Sequence, residues 1–139
     1  MVHAPKLDWT SLPSFSFGDS PELADSLAAL VLQGLKRATC WPASQGRLTE
    51  VGTRMVMRDG SGRPRAIIET IELTQRRFSE VDEAFAFDEG EGDRTLAFWR
   101  TAHRSYFERR GVFAPAMLLY CERFRLTEGI DPSERATAV

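Results

Sequence analysis

The chain has 139 residues, 42% of them hydrophobic, and this length and composition indicate one globular domain. Eighteen cationic and twenty acidic side chains leave a net charge of −2, so the overall basic excess typical of non-specific nucleic-acid binders is missing. The sequence has neither an apolar run of the roughly 18 residues that a membrane helix needs nor a charged leader. It therefore predicts a soluble, cytoplasmic protein with no membrane contact.

The cysteines and histidines do not have the spacing of a structural metal site. Cys40 and Cys121 form no CxxC pair, and only His3 and His103 are available to complete a ligand set. No glycine-rich turn of the dinucleotide or phosphate-binding type joins a strand to a helix. We therefore predict no cofactor and no resident metal, although carboxylates remain as ligands for a hard cation.

The first elements in chain order are an arm and a helix. Residues 1–14 are predicted to form an N-terminal arm. The segment SPELADSLAALVLQG then predicts a helix that Asp19 or Ser20 caps, with Pro21 at its first position and Gly34 as its left-handed end. Its apolar stripe consists of Leu23, Leu27, Leu30 and Val31.

Residues 51–73 predict two strands joined by the DGSG turn, and residues 78–93 predict one helical turn followed by an acidic loop. A second long helix is expected over residues 94–111, capped by Asp93 and ended by Gly111. Residues 116–127 alternate as a strand, with Leu118, Tyr120, Phe124 and Leu126 expected on one face. The tail, residues 129–139, is polar and predicted to be flexible.

The element order contains no βαβ repeat. A helix, strands, an acidic loop, a helix and a strand follow one another, which favours an α+β domain over residues 15–128 with its strands curled into a small barrel.

Lys36 and Thr39 form the first candidate chemical site, in the motif G-L-K-R-A-T. The chain contains sixteen arginines but only two lysines, Lys6 and Lys36, and only a lysine can lose its proton when buried. An amine beside a hydroxyl is the arrangement of an activated nucleophile. The alternative is a cation that simply complements the dipole at the end of the preceding helix.

An acidic run, D-E-G-E-G-D over residues 88–93, forms the second candidate site. Its crowded carboxylates raise one another's pKa, which suits general acid–base chemistry, and they also suit Mg²⁺ or Mn²⁺. Asp93 is the weakest candidate because the helix needs it as a cap. The alternative is a solvated acidic loop.

Arginines and aromatic residues form the third candidate, a patch that would bind RNA or substrate. We single out Arg54, Arg65, Trp99 and His103, because arginine binds phosphate and aromatic rings stack on bases. The alternative is a set of ordinary surface salt bridges.

Taken together, these segments resemble the ASCH domain family, and small bacterial members in particular. The resemblance rests on FSFGDSPELADSLAALVLQGLKRAT, on EVGTRMVMRDGSGRPRAIIETIEL, and on the EGEGD run followed by a tryptophan and a histidine at helical spacing. It covers roughly residues 15–127, and it implies a PUA-like fold: a small β-barrel flanked by helices.

The resemblance also implies a role in RNA metabolism, with RNA or a nucleoside as the partner. Some small members resemble amide hydrolases that deacetylate N4-acetylcytidine with a Lys, a Thr and a Glu. The matching residues here are Lys36, Thr39, and either Glu91 or Glu89, of which Glu91 is preferred because it lies nearer Thr95. We expect Lys36 to be neutral in a buried cleft.

Two other functions remain open. One is a non-catalytic RNA-binding module, and the other is a metal-dependent ribonuclease with its metal on Asp88, Glu89 and Glu91. The ribonuclease ranks third because the stretch CWPASQGRLTE is shorter than in related sequences. The sequence leaves open whether the protein is a monomer or a homodimer.

Overall fold

The computed structural model describes residues 9–131, which form an α+β fold with a mixed five-stranded sheet. The helices are α1 (Pro21–Leu32), α2 (Glu83–Glu89) and α3 (Leu96–Arg109). The strands are β1 (Ser14–Ser16), β2 (Ala38–Pro42), β3 (Arg54–Arg58), β4 (Pro64–Arg77) and β5 (Leu118–Gly129). No helix within residues 9–131 is long and apolar enough to cross a membrane. The predicted fold class is confirmed.

The sheet is open rather than closed into the expected barrel. Its strand order is β1-β3-β4-β5-β2, with β1 parallel to β3 and every other neighbour antiparallel. Closure would require hydrogen bonds between the edge strands β1 and β2, but a cavity of about 230 Å³ is lined by both. The space that a closed barrel would seal is therefore a pocket.

Two apolar clusters hold helices against the sheet. The first joins α1 to the sheet through Leu27, Ala28 and Val31, which pack with Met57 and Phe124. The second joins α2 and α3 to β2 and β5; its buried members are Ala38, Phe78, Val81, Phe85, Ala86, Trp99, Phe107, Leu119 and Cys121. Helix α1 thus buries Leu27 and Val31 of the apolar stripe that its sequence period predicts.

The ends of the helices agree in part with the sequence. Ser20 caps α1 by accepting a hydrogen bond from the Leu23 amide, and Gly34 follows the helix with a φ of 79°, both as predicted. Helix α3 is capped by Thr95, not by Asp93. Asp93 instead accepts hydrogen bonds from the amide and hydroxyl of Thr95, so it supports the cap from two residues before it.

The predicted faces of β5 are also partly wrong. Leu118 and Leu126 are exposed, whereas Leu119 and Cys121 are buried. The cause is that opposite faces of β5 are covered at its two ends: Leu119 and Cys121 pack in the cluster with α2 and α3, whereas Phe124 packs in the cluster with α1. Residues 1–8 and 132–139, most of the predicted arm and tail, lie outside the described residues.

Candidate functional site

A cleft of about 340 Å³ lies between α1 and α3 and contains the residues of both polar motifs. Lys36, Thr39, Glu89, Glu91 and His103 all line it. Its remaining walls are mainly apolar and aromatic; they include Phe17, Leu23, Leu27, Phe98, Tyr106 and Phe107. A concave, largely apolar surface with a few converging charges is the usual form of a small-molecule site.

The end of α1 brings Lys36 into this cleft. The backbone amides of Leu35 and Lys36 both donate to the carbonyl of Leu30, so the chain turns inward directly after Gly34. The Lys36 side chain is consequently only 2% exposed, although the residue is not part of a helix or strand.

The glycines of the acidic run bring it against Lys36. A Cβ on Gly90 would lie 2.1 Å from the Leu35 carbonyl oxygen, and the φ of 75° at this residue also requires glycine. A Cβ on Gly92 would lie 2.5 Å from the ring of Phe98. Both glycines therefore serve close packing, and they position Glu89 and Glu91 beside the lysine.

Lys36 is bound on two sides by the acidic run. Its Nζ donates to the Glu89 backbone carbonyl at 3.3 Å and to Oε2 of Glu91 at 3.4 Å. Burial alone would lower the pKa of Lys36, but the charges of Glu89 and Glu91 outweigh burial and raise it. The expectation of a neutral lysine is therefore wrong: Lys36 is an ammonium, 5.3 Å from the centre of the Phe17 ring.

Glu89 is held by α3. Its Oε2 accepts hydrogen bonds from the Trp99 indole at 2.8 Å and lies 2.7 Å from Nε2 of His103. Its Oε1 is buried and has no hydrogen-bond partner among the described residues. Burial would raise the pKa of Glu89, but the charges of His103 and Lys36 together with these hydrogen bonds lower it to about 2. The glutamate is therefore ionised.

His103 donates from both ring nitrogens. Nδ1 lies 3.0 Å from the Trp99 carbonyl oxygen, and Nε2 faces the ionised Glu89. Both neighbours are acceptors, so the imidazolium form satisfies the two contacts together. In agreement, Glu89 raises the pKa of His103 despite burial, which would lower it. We call Lys36, Glu89, Glu91 and His103 the cleft network: two cations and two carboxylates.

One group in the described residues has the composition of a metal site: Cys40, Glu89 and His103, whose ligand atoms lie within 4.8 Å of one another. Its donor atoms are already engaged within the protein. Nε2 of His103 lies 2.7 Å from Oε2 of Glu89, burial and then the charge of Glu89 raise the pKa of the Cys40 thiol, and the Lys36 ammonium is adjacent.

The metal set considered from sequence is not brought together either. The Asp88 carboxylate pairs with Arg37 at 2.9 Å and with Arg123 at 2.9 Å, while Glu89 and Glu91 bind Lys36 and His103. The acidic run is therefore split between two sets of cations, and no metal is needed to balance it.

The predicted RNA- or substrate-binding residues are dispersed, and of the four only His103 lines the cleft. Arg54 pairs with Glu69 at 3.0 Å, and Arg65 lies 3.4 Å from Asp59, both away from it. Trp99 is 2% exposed inside the second apolar cluster, so it cannot stack on a base. It orients Glu89 instead.

Sequence reasoning missed the second cavity and its residues. Glu122, 6% exposed, lines this cavity together with Trp41, Thr49 and Thr70. Its only signal in the sequence is a single acidic residue in the otherwise apolar and basic segment 116–126. The sequence likewise did not predict that Phe17 lies in the apolar wall of the first cleft.

The ASCH family model matches residues 13–128, which span the sheet, all three helices and the whole cleft network. The chain belongs to the ASCH domain family. That family is generally linked to RNA-related functions. No match to a curated protein was found.

Solved ASCH structures agree with this membership. An ASCH domain from Lactobacillus crispatus JV V101 is 37% identical, with a TM-score of 0.76, and the match covers 85% of this chain and 80% of that chain. Protein EF3133 from Enterococcus faecalis V583 is 31% identical with the same TM-score, over 84% and 77% of the two chains. An ASCH protein from Zymomonas mobilis shares the fold alone, at 13% identity and a TM-score of 0.53, over 86% and 73%.

Proposed function

We propose that this ASCH protein is an amide hydrolase that acts on a small acylated nucleoside, of which N4-acetylcytidine is the representative substrate. The observation that carries the proposal is the ion pair between the buried Lys36 and the partly exposed Glu91, 3.4 Å long, in the wall of a cleft that Thr39 also lines. A cation, a carboxylate and a hydroxyl around one concave surface are the groups that acyl transfer requires.

The charged state of Lys36 decides how the roles are divided. The Thr39 hydroxyl attacks the acyl carbonyl carbon, and Glu91 accepts the hydroxyl proton. The Lys36 ammonium stabilises the oxyanion that forms. The C–N bond then breaks, Glu91 returns its proton to the leaving nitrogen, and water hydrolyses the remaining threonyl ester to the free acid.

Glu89 and His103 act on this site as positioning residues. Glu89 holds the Lys36 ammonium through its backbone carbonyl and its charge, and His103 fixes the Glu89 carboxylate. Both residues act through Lys36, because Glu89 is only 1% exposed.

The experiment is the release of acetate from N4-acetylcytidine by the wild type, by Lys36→Met and by Thr39→Val. We expect turnover by the wild type and a fall in kcat of about 10²- to 10³-fold in both variants. Arg37→Met is the matched control, because it removes the neighbouring cation, whose side chain is exposed and pairs with Asp88 outside the cleft. It should retain wild-type kcat.

Absence of turnover by the wild type would refute the hydrolase. The same protein preparation then tests the alternatives. RNA binding that weakens steeply with salt would indicate a binding module, and EDTA-sensitive cleavage of RNA would indicate a metal-dependent ribonuclease.

A further inference from the structure

The second cavity, of about 230 Å³, adjoins the cleft and shares part of its wall. Phe17, Gly18, Thr39, Cys40 and Tyr106 line both. The two cavities are therefore two lobes of one site, and Thr39 lies at their junction. The first lobe contains the cleft network, whereas the second has mostly aromatic and aliphatic walls.

One polar chain crosses the floor of the second lobe. Thr70 Oγ1 donates to Oε2 of Glu122 at 2.6 Å, and since its single proton is used there, Thr49 Oγ1 donates to Thr70 at 2.7 Å. This arrangement orients Glu122 through one oxygen and leaves Oε1 for a ligand. Burial raises the pKa of Glu122 above its usual value, and the hydrogen bond from Thr70 opposes this shift.

Glu122 is also close to the proposed nucleophile. It is the cross-strand partner of Thr39 in the β2–β5 pair, so the two side chains leave the sheet on the same face. A substrate whose acyl carbon lies at Thr39 must extend from the junction into both lobes. The lobe beside Glu122 has flat aromatic walls, including Phe15, Phe17 and Trp41, and one carboxyl group.

We propose that the second lobe is a nucleobase subsite, in which a pyrimidine ring lies between the aromatic walls and hydrogen-bonds to Glu122. The free Oε1 of Glu122 can accept a hydrogen bond from the exocyclic N–H of a cytosine ring, while Oε2 stays bound to Thr70. This inference rests on the proposed hydrolase for its orientation, with the acyl group toward the cleft network. Binding of the base itself requires no reaction.

The test is direct binding of cytidine, the deacylated product, measured by calorimetry. Glu122→Leu removes the hydrogen-bonding atoms at similar size and should weaken binding about tenfold. Glu122→Gln keeps a donor and an acceptor and should bind within about threefold of the wild type. Glu128→Leu, the same change farther along β5 and outside both lobes, is the matched control and should bind as the wild type does.

Tryptophan fluorescence is a second measurement, and it shows where the cytosine ring binds. Cytidine should quench the tryptophan fluorescence of the wild type, and Trp41→Phe should abolish most of the quenching. Trp41 lines the lobe, whereas Trp9 and Trp99 pack in apolar clusters and do not line it. Unfolding midpoints of all variants show whether a loss of binding reflects a loss of fold.

The results separate this inference from the hydrolase. Cytidine binding that depends on Glu122 supports the subsite even when no acetyl group is released. Turnover of N4-acetylcytidine with a KM unaffected by Glu122→Leu would overturn the subsite while leaving the hydrolase intact. Failure of cytidine to bind folded wild-type protein would also overturn it.

Discussion

The cleft network and the ion pairs of Arg54, Glu69 and Arg125 both join carboxylates to cationic side chains, in different surroundings. Glu69 Oε1 lies 3.0 Å from Arg54 and 3.1 Å from Arg125, distances shorter than those around Lys36. Yet both arginines are exposed, whereas Lys36 and Glu89 are 2% and 1% exposed. Water and salt compensate the surface charges, so distance alone does not measure the strength of an ion pair.

In the cleft, each charge depends on the others. A buried ion whose partner is removed has no water to replace it, which makes the loss of one member far more costly than at the surface. The same dependence keeps Lys36 charged and Glu89 ionised at neutral pH. Because the members are buried together, each of them has a defined protonation state that depends on the others. Catalysis needs such defined protonation states.

The largest expected effect is on the free energy of unfolding when one carboxylate of the cleft network is made neutral, compared with the same change in the surface group. Glu89→Gln should destabilise the protein by about 3 kcal/mol, because Lys36 and His103 then share only Glu91. Glu69→Gln should leave the free energy of unfolding almost unchanged. Urea unfolding at pH 7 measures both, and equal losses would contradict the distinction between the two groups.

A smaller effect on the free energy of unfolding is expected from a substitution that pushes the acidic run away from the loop containing Lys36. Gly90→Ala should cost at least about 2 kcal/mol, because a left-handed φ is strained in alanine and its Cβ would meet the Leu35 carbonyl. Gly34→Ala is the matched control, with the similar φ of 79° but nothing within 4 Å, and it should cost about 1 kcal/mol. Identical unfolding free energies for the two variants would show that the close approach is unimportant.

The smallest effect is a pH dependence of the unfolding free energy above about pH 5, which the cleft network should show through His103. The surface pairs contain no histidine, and the lowered pKa of Glu69 affects stability only at more acid pH. The raised pKa of His103 means that its stabilisation is fully present below about pH 6.5 and is lost as pH rises through the folded-state pKa. The lowered pKa of Glu89 means that its stabilisation is present above about pH 4.5 and is lost only as pH falls toward 2.

Wild type and His103→Gln should therefore differ most between about pH 5 and 6.5, by about 1.5 kcal/mol, the lower end of the net value of a hydrogen bond to a charged group. Their unfolding free energies should converge as pH rises from 7 to 10. A difference that stays constant over this range would mean that His103 is neutral in the folded protein.

Much of the fold could be predicted because the signals are local. Ser20, Pro21 and Gly34 define α1 through groups that satisfy or end its own backbone hydrogen bonds. The family was likewise predictable from short motifs in a fixed order, which its model confirms over residues 13–128. The cap of α3 was missed because Asp93 and Thr95 are both good caps, and only the backbone geometry distinguishes them.

The sequence by itself determined the α+β class, the helices and the presence of a lysine, a threonine and an acidic run in one chain. Only the tertiary structure decided that Lys36 is charged, that Trp99 is internal and that the gap between β1 and β2 is a pocket. Those properties depend on which groups burial brings within a few ångströms of one another across tens of residues. Charge state and cavity shape follow from these long-range contacts, which no local pattern encodes.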